Sequence, residues 1–434
     1  MGKRPANHHE DAPNADLRRV RVTLRHPFLR ITLPLAGMNF INQAARGMMA
    51  VVGPVLAAQY GLTASELGLL ASAAFASYCL WQLPVGLLLD VWGPRMVQTS
   101  MGLTAAAGFA LFAVSDGMVG FVLARLLIGV GIAAGLMALL KAHSVWFGRA
   151  QVAGMTGIAM LIAASAGLVV TAPMEALLPR LGWRGVFWCL FALVLAVTAW
   201  VFASVRERVP AVRRPLSVEL AVLRAILLDA RFWRLTPMVA LMSVFTFTYQ
   251  GLWAGPWLRD VAGQDSPARA ATLFCYALGL MAGSLLTGQL ASRLQARGHS
   301  AMLVPAICAG LLVGLQLVLL VQPTDPVVLD VLWFVVPLIA AAGPPGYAAI
   351  AQHFPVEQTG RVSTAINTVV LGGAFVLQTL IGWVLDFWPR TATGWDRRGY
   401  AWAMGLSVLL QTGALIWAWH GRGWGRGRGR LTEA

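Results

Sequence analysis

Charge is what this chain has least of. Asp, Glu, Lys and Arg make up 12% of its 434 residues, and acids are the scarcer group, 18 against 33 bases. So little polar surface cannot cover a globule in water, which excludes a soluble protein of two or three domains. There are four cysteines (Cys79, Cys189, Cys275 and Cys308), all inside apolar stretches and spaced unlike metal ligands. That excludes a disulfide framework and offers no metal site. The first 30 residues lack the apolar core of a signal peptide, and nowhere does the chain show the ten-residue alternation of a membrane β-barrel. A Ser-His-Asp constellation and a phosphate-cradling glycine loop are missing too. No catalytic residue, cofactor or metal is therefore expected.

What is present is apolar: 58% of residues are hydrophobic, and the mean hydropathy is +0.69. About twelve stretches hold roughly 20 or more mostly apolar residues, enough to cross ~30 Å of hydrocarbon as helices. They fall at 31–58, 66–89, 95–115, 118–142, 152–176, 184–204, 235–258, 268–291, 300–321, 328–352, 362–386 and 398–420. The fold class expected is thus an all-α integral membrane protein.

The net charge of +15 suits topology better than nucleic acid. If the N-terminus is cytoplasmic, 24 of the 33 Lys and Arg fall in cytoplasmic segments, 7 in external loops, and Arg46 and Arg125 in mid-membrane, while the acids divide evenly. A basic bias without an acidic one is the positive-inside pattern. Both termini are expected in the cytoplasm, in a bacterial inner membrane, with the Arg-Gly tail solvated at its surface. The chain divides into a tail (1–30), six helices (31–205), a charged, proline-punctuated linker (206–234), six more helices (235–420) and a basic tail (421–434). Within the linker, Ser217 to Arg231 reads as an amphipathic surface helix. Gly129, Gly131, Gly135, Gly279 and Gly283 read as close-packing positions, and Gly343-Pro-Pro-Gly346 as a bend.

The two halves are copies. An offset of 202 residues carries Arg46 and Pro54 onto Thr248 and Pro256, and Gly86 and Asp90 onto Gly288 and Ser292. Duplicated apolar halves are characteristic of secondary transporters. The loop Gly86-Leu-Leu-Leu-Asp90-Val-Trp-Gly93-Pro-Arg95 joins the second and third helices. It resembles the G-x-x-x-D-R-x-G-R-R signature of the major facilitator superfamily, matching at Gly86, Asp90, Gly93 and Arg95, with Val91 and Pro94 at two usually basic positions. Arg125, four residues before Gly129, resembles a second pattern of that family. The resemblance implies two six-helix bundles rocking about a central site. It also implies a gating role for Gly86, Asp90, Gly93, Arg95 and Arg125, with Asp90 capping the eleventh helix near Gly360. Physically, an anion at a helix end suits the positive N-terminus of another helix. A plain polar loop is the alternative, and Arg125 divides between cavity electrostatics and packing.

Asn39, Asn42, Gln43 and Arg46 form one polar stripe on the first helix. A mid-membrane arginine costs ~2.5–3.5 kcal/mol and needs a partner or a wet cavity. No carboxylate lies at matching depth; Asp90 and Glu175 sit near helix ends. Arg46 is therefore available to a ligand anion, the alternative being bonds to backbone carbonyls of a kinked neighbour. The Arg46–Pro54 spacing resembles the organophosphate:phosphate antiporter branch, but the matching arginine of its seventh helix is replaced by Thr248. One cation with neutral donors suits a monoanion or zwitterion. The expected solute site comprises Arg46, Asn39, Asn42, Gln43, Thr248 and Gln250, with Tyr78, Gln82 and Asn367 as further lining candidates. For each of those last three taken singly, bonding between helices is the commoner role. A monomer is expected, with a small-molecule solute and the lipid bilayer as partners and no nucleic acid. A coupling ion stays open: without a mid-membrane acid or His, protons would need the solute or Glu175 to carry them. Efflux of an apolar or cationic compound, and a non-transporting receptor or scaffold, also stay open.

Overall fold

The structure is a computed structural model that describes residues 27–170, 172–206, 216–355, 358–391 and 394–420. The two tails, 1–26 and 421–434, and residues 207–215 of the linker lie outside the described residues, as does the side chain of Glu175. The described chain is helical and forms twelve spans. A π-helical turn, Phe28–Thr32, leads into α1, Leu33–Tyr60. The long stretch Ala64–Val114 is α2 and α3, parted at Gly93, whose φ of 76° only glycine adopts without strain. α4, Met118–Trp146, is broken between Ile132 and Gly135. α5 (149–170 and 172–181) and α6 (183–204) part at Gly182. A helix at Leu216–Leu228 connects the halves. α7 runs as Ala230–Thr248, a π-helical segment Tyr249–Trp253 and Ala254–Asp260. α8 is Ser266–Ala296 and α9 Leu303–Leu320. α10 comprises Pro326–Ala340 and Gly343–Ala351, so the bend falls just before the Gly-Pro-Pro run. α11 is Thr359–Leu385 and α12 Arg397–His420.

The scarce acids mark helix starts. Asp229, Asp265 and Asp325 accept the backbone N–H of Arg231, Ala268 and Val328 at the heads of α7, α8 and α10. Thr63 and Glu66 form a reciprocal capping box on α2. Each such cap contributes about 1 kcal/mol. The Asp229 cap also ends the connecting helix at Leu228, so Arg231 belongs to α7.

Large apolar side chains face outward. Leu80, Val119, Leu409, Trp402 and Trp419 are each more than two-thirds exposed, as suits a lipid-facing surface. Eight helices are long and apolar enough to cross a membrane by length and composition, among the described residues. Four of the twelve fall short of that measure, among them α1 and α7. Both carry candidate-site polar groups and face the opposite half. Inside the bundles, small residues let backbones touch. A Cβ on Gly279 would lie 2.0 Å from the Phe334 carbonyl oxygen, so α8 and α10 can cross this closely only with glycine there.

The halves are pinned together at one end. At the closed end, Asp386, just past α11, accepts the backbone N–H of Ala64 and Ser65 at 2.9 and 2.8 Å. Below it, Ser72 bonds Thr379 at 2.9 Å, and the Trp253 indole donates to the Gln378 carbonyl at 3.0 Å. A Cβ on Gly382 would sit 2.3 Å from the Ala64 carbonyl oxygen, so α2 and α11 touch there backbone to backbone. At the opposite end Gly86 and Gly360 face open space.

Candidate functional site

Arg46 lies midway along α1, half-buried, at the seam between the halves. Its guanidinium carbon stands 5.0 Å from the ring centre of Tyr78 and 5.9 Å from that of Phe75, both on α2. It stands 4.9 Å from that of Phe247 on α7. Phe75 and Phe247 stack across the seam, centroids 6.0 Å apart and planes 9° from parallel. The Arg46 Nε is buried without a hydrogen-bond partner, and among the described residues no carboxylate pairs with Arg46. The ring faces stabilise the cation by about 0.5–2 kcal/mol each but accept no N–H bond in the manner of an oxygen. The charge is held, and its hydrogen-bonding fork is left available.

The rest of the α1 stripe has another task. The break in α4 frees carbonyl groups at its middle, and side chains of α1 and α2 take them up. Asn39 donates to Gly135 O at 2.9 Å and to Leu35 O at 3.0 Å. Asn42 donates to Ile132 O at 2.9 Å and to the Tyr78 hydroxyl at 3.4 Å. Gln82 donates to Ala133 O at 3.4 Å and accepts from Asn367 of α11 at 3.4 Å. Buried donors with such partners tie helices together. Gln43 and Gln250 are half-buried; Gln43 lies three residues before Arg46 on α1, and the amide nitrogen of Gln250, in the π-helical segment of α7, is 3.7 Å from where a Cβ on Gly167 would be. Thr248 is buried with its hydroxyl unpartnered.

Arg125 sits inside the N-terminal half, 1% exposed, and donates to Ala45 O, Leu70 O and Ala71 O at 3.0, 3.3 and 2.8 Å. It clamps α1 and α2 to α4, the packing alternative rather than the electrostatic one. Asp90 likewise differs from the arrangement the resemblance implied. Its carboxylate pairs with Lys141 near the end of α4 rather than with the head of α11, and a Cβ on Gly86 or Gly360 would meet nothing within 4 Å. Gly93 makes the turn between α2 and α3, and Arg95 lies 4.3 Å from the Phe202 ring centre.

Three participants escaped the sequence reading. Phe75 and Phe247 carry no mark among 18 phenylalanines. Gln378 of α11 is fully buried with both amide atoms unpartnered, and its amide nitrogen lies 3.5 Å from where a Cβ on Gly251 would be. A buried amide in a membrane helix is a legible signal, since such groups demand a partner.

The profile of the Major Facilitator Superfamily matches residues 35–377. The chain belongs to the Major Facilitator Superfamily. It is a multi-pass membrane transporter and not an enzyme. Uncharacterized transporter YybO of Bacillus subtilis (strain 168) is 24% identical over 86% of this chain and 91% of its own. The "Probable L-galactonate transporter" of Escherichia coli (strain K12) is 32% identical over 44% of this chain and 42% of its own. Among solved structures, a bacterial homologue of the human lysosomal transporter Spinster, inward-facing and unoccupied, superposes with a TM-score of 0.73. It shares 15% identity, with 89% of this chain and 95% of that one covered. Superfamily members of this kind have twelve helices in two halves, as the present chain does.

Proposed function

We propose that this superfamily transporter moves a small organic anion or zwitterion of carboxylate type across the inner membrane by alternating access, with Arg46 as the anchor. One observation carries the reading: a guanidinium at the seam of the two halves, packed among rings yet lacking both a counter-charge and a bond at Nε. A carboxylate supplies both through a bidentate pair. Gln43, Gln250 and Thr248 add neutral groups from α1 and α7. A relative named for L-galactonate, a carboxylate, is consistent with an anionic cargo. The bias of basic residues favours a cytoplasmic position for the Asp90 end and both termini, and the open space at Gly86 and Gly360 supports an inward opening. The Asp386 contacts then form the closed outer gate, and the carrier works as a monomer.

Uptake of carboxylates into vesicles tests the anchor. Arg46→Gln is expected to lower uptake of the preferred solute at least about tenfold, the loss of one charge-assisted bond or more. Unchanged uptake in a variant present at wild-type amounts overturns it.

A further inference from the structure

The surroundings of Arg46 also bear on what the carboxylate is attached to. A polyhydroxylated solute needs a hydrogen-bond partner for each hydroxyl it buries, since every unpaired one costs binding. The amide nitrogens of Asn39, Asn42 and Gln82 that would have donated to those hydroxyls are already engaged, and of these three side chains only the Asn42 Oδ1 is left buried without a partner. Asn39 and Asn42 are bonded to carbonyls of the broken α4, and the Tyr78 hydroxyl and Gln82 are bonded as well. Beyond those side chains, neutral polar groups remain in the half-buried amides of Gln43 and Gln250 and the buried, unpartnered Thr248 hydroxyl and Gln378 amide, all on α1, α7 or α11. What surrounds the guanidinium instead is aromatic: Phe75 and Tyr78 from one half, and Phe247 from the other.

Resting on the carboxylate reading above, we propose that the solute is an arene carboxylate, a planar ring bearing one carboxyl group, rather than a hydroxylated chain. Bidentate pairing makes the carboxylate coplanar with the guanidinium. A ring conjugated to that carboxylate continues the same plane and is presented to the neighbouring aromatic side chains, where stacked or edge-on contacts favour it over a saturated ring of the same size. Phe75 and Phe247 are thus specificity-determining residues, one on each half, and only with the halves together do both contribute.

The test is ligand-induced thermal stabilisation of the purified full-length protein with four probes: benzoate, cyclohexanecarboxylate, gluconate and benzamide. Benzoate is expected to bind at least about threefold more tightly than cyclohexanecarboxylate, and about tenfold or more above gluconate. Benzamide, isosteric but neutral, should fail. Phe247→Leu and, independently, Phe75→Leu should each narrow the benzoate-to-cyclohexanecarboxylate ratio. Gluconate binding above benzoate, with that binding lost in Arg46→Gln, overturns the arene proposal and leaves the anionic reading standing. Equal binding of benzoate and cyclohexanecarboxylate has the same consequence. Benzamide matching benzoate, with Arg46→Gln unchanged, overturns both. Silence from all four probes at millimolar concentration overturns the arene proposal.

Discussion

Two arginines of the N-terminal half show how residue type alone under-determines role. Both lie in apolar helices. Arg125 finds three backbone oxygens and is wholly buried; Arg46 finds three rings and leaves Nε without a bond. Removing the first should therefore cost stability, and removing the second should cost binding. Arg125→Met keeps much of the volume but deletes three bonds to a charged donor, each worth about 1.5–3 kcal/mol at most. Its unfolding temperature in detergent should fall by several degrees, and Arg125→Lys should not restore it, because a single ammonium cannot reach three carbonyls in a fork. Asn39→Leu should lose less, about 1–2 kcal/mol, because two carbonyls of α1 and α4 are left without their side-chain donor. If Arg125→Met melts with the wild type, the clamp described for it is wrong.

At the scale of elements, one carboxylate at a helix head adds to the contacts that hold the seam at the closed end. Asp386 is the partner of two N–H groups on α2, adding to the charge already favoured at a helix N-terminus. Asp386→Ala should weaken closure there by about 1–2 kcal/mol, near a tenfold shift between states. A cysteine at the buried Ser72, in a background lacking the four native cysteines, should then react faster with a soluble maleimide. An unchanged rate means the contact does not bias the equilibrium. This element was hard to foresee: the acid and its partners are 321 and 322 residues apart, and sequence carries no register between helices of different halves. The break in α4 was equally hidden, since it falls at Ala133 and Ala134 with no proline to announce it. The helix count was legible, because run length against bilayer thickness is a one-dimensional question. So was the turn at Gly93, set by a glycine ahead of a proline. Which polar side chain reaches a cavity and which reaches a neighbouring carbonyl depends on helix rotation, and that is why the α1 stripe read as uniform.

For the whole molecule, the 202-residue repeat and the asymmetric placement of bases make one prediction about orientation. Phe387, 79% exposed beyond α11, and Val91, 47% exposed in the Asp90 loop, lie at opposite ends. Single cysteines at these positions in intact cells should label differently with a membrane-impermeant reagent. Position 387 should react directly, and position 91 only after permeabilisation. The reverse pattern would mean that the conformation described here opens outward.

The guanidinium of Arg46 touches rings on both sides of a joint that must open and close. Tyr78 and Phe75 travel with it; Phe247 belongs to the part that swings away. Under the proposed rocking of the halves, each turnover strips one aromatic wall from the charge and later returns it. The proposed cargo anchor is in this way also a gauge of whether the two lobes are together, with no relay needed between distant points.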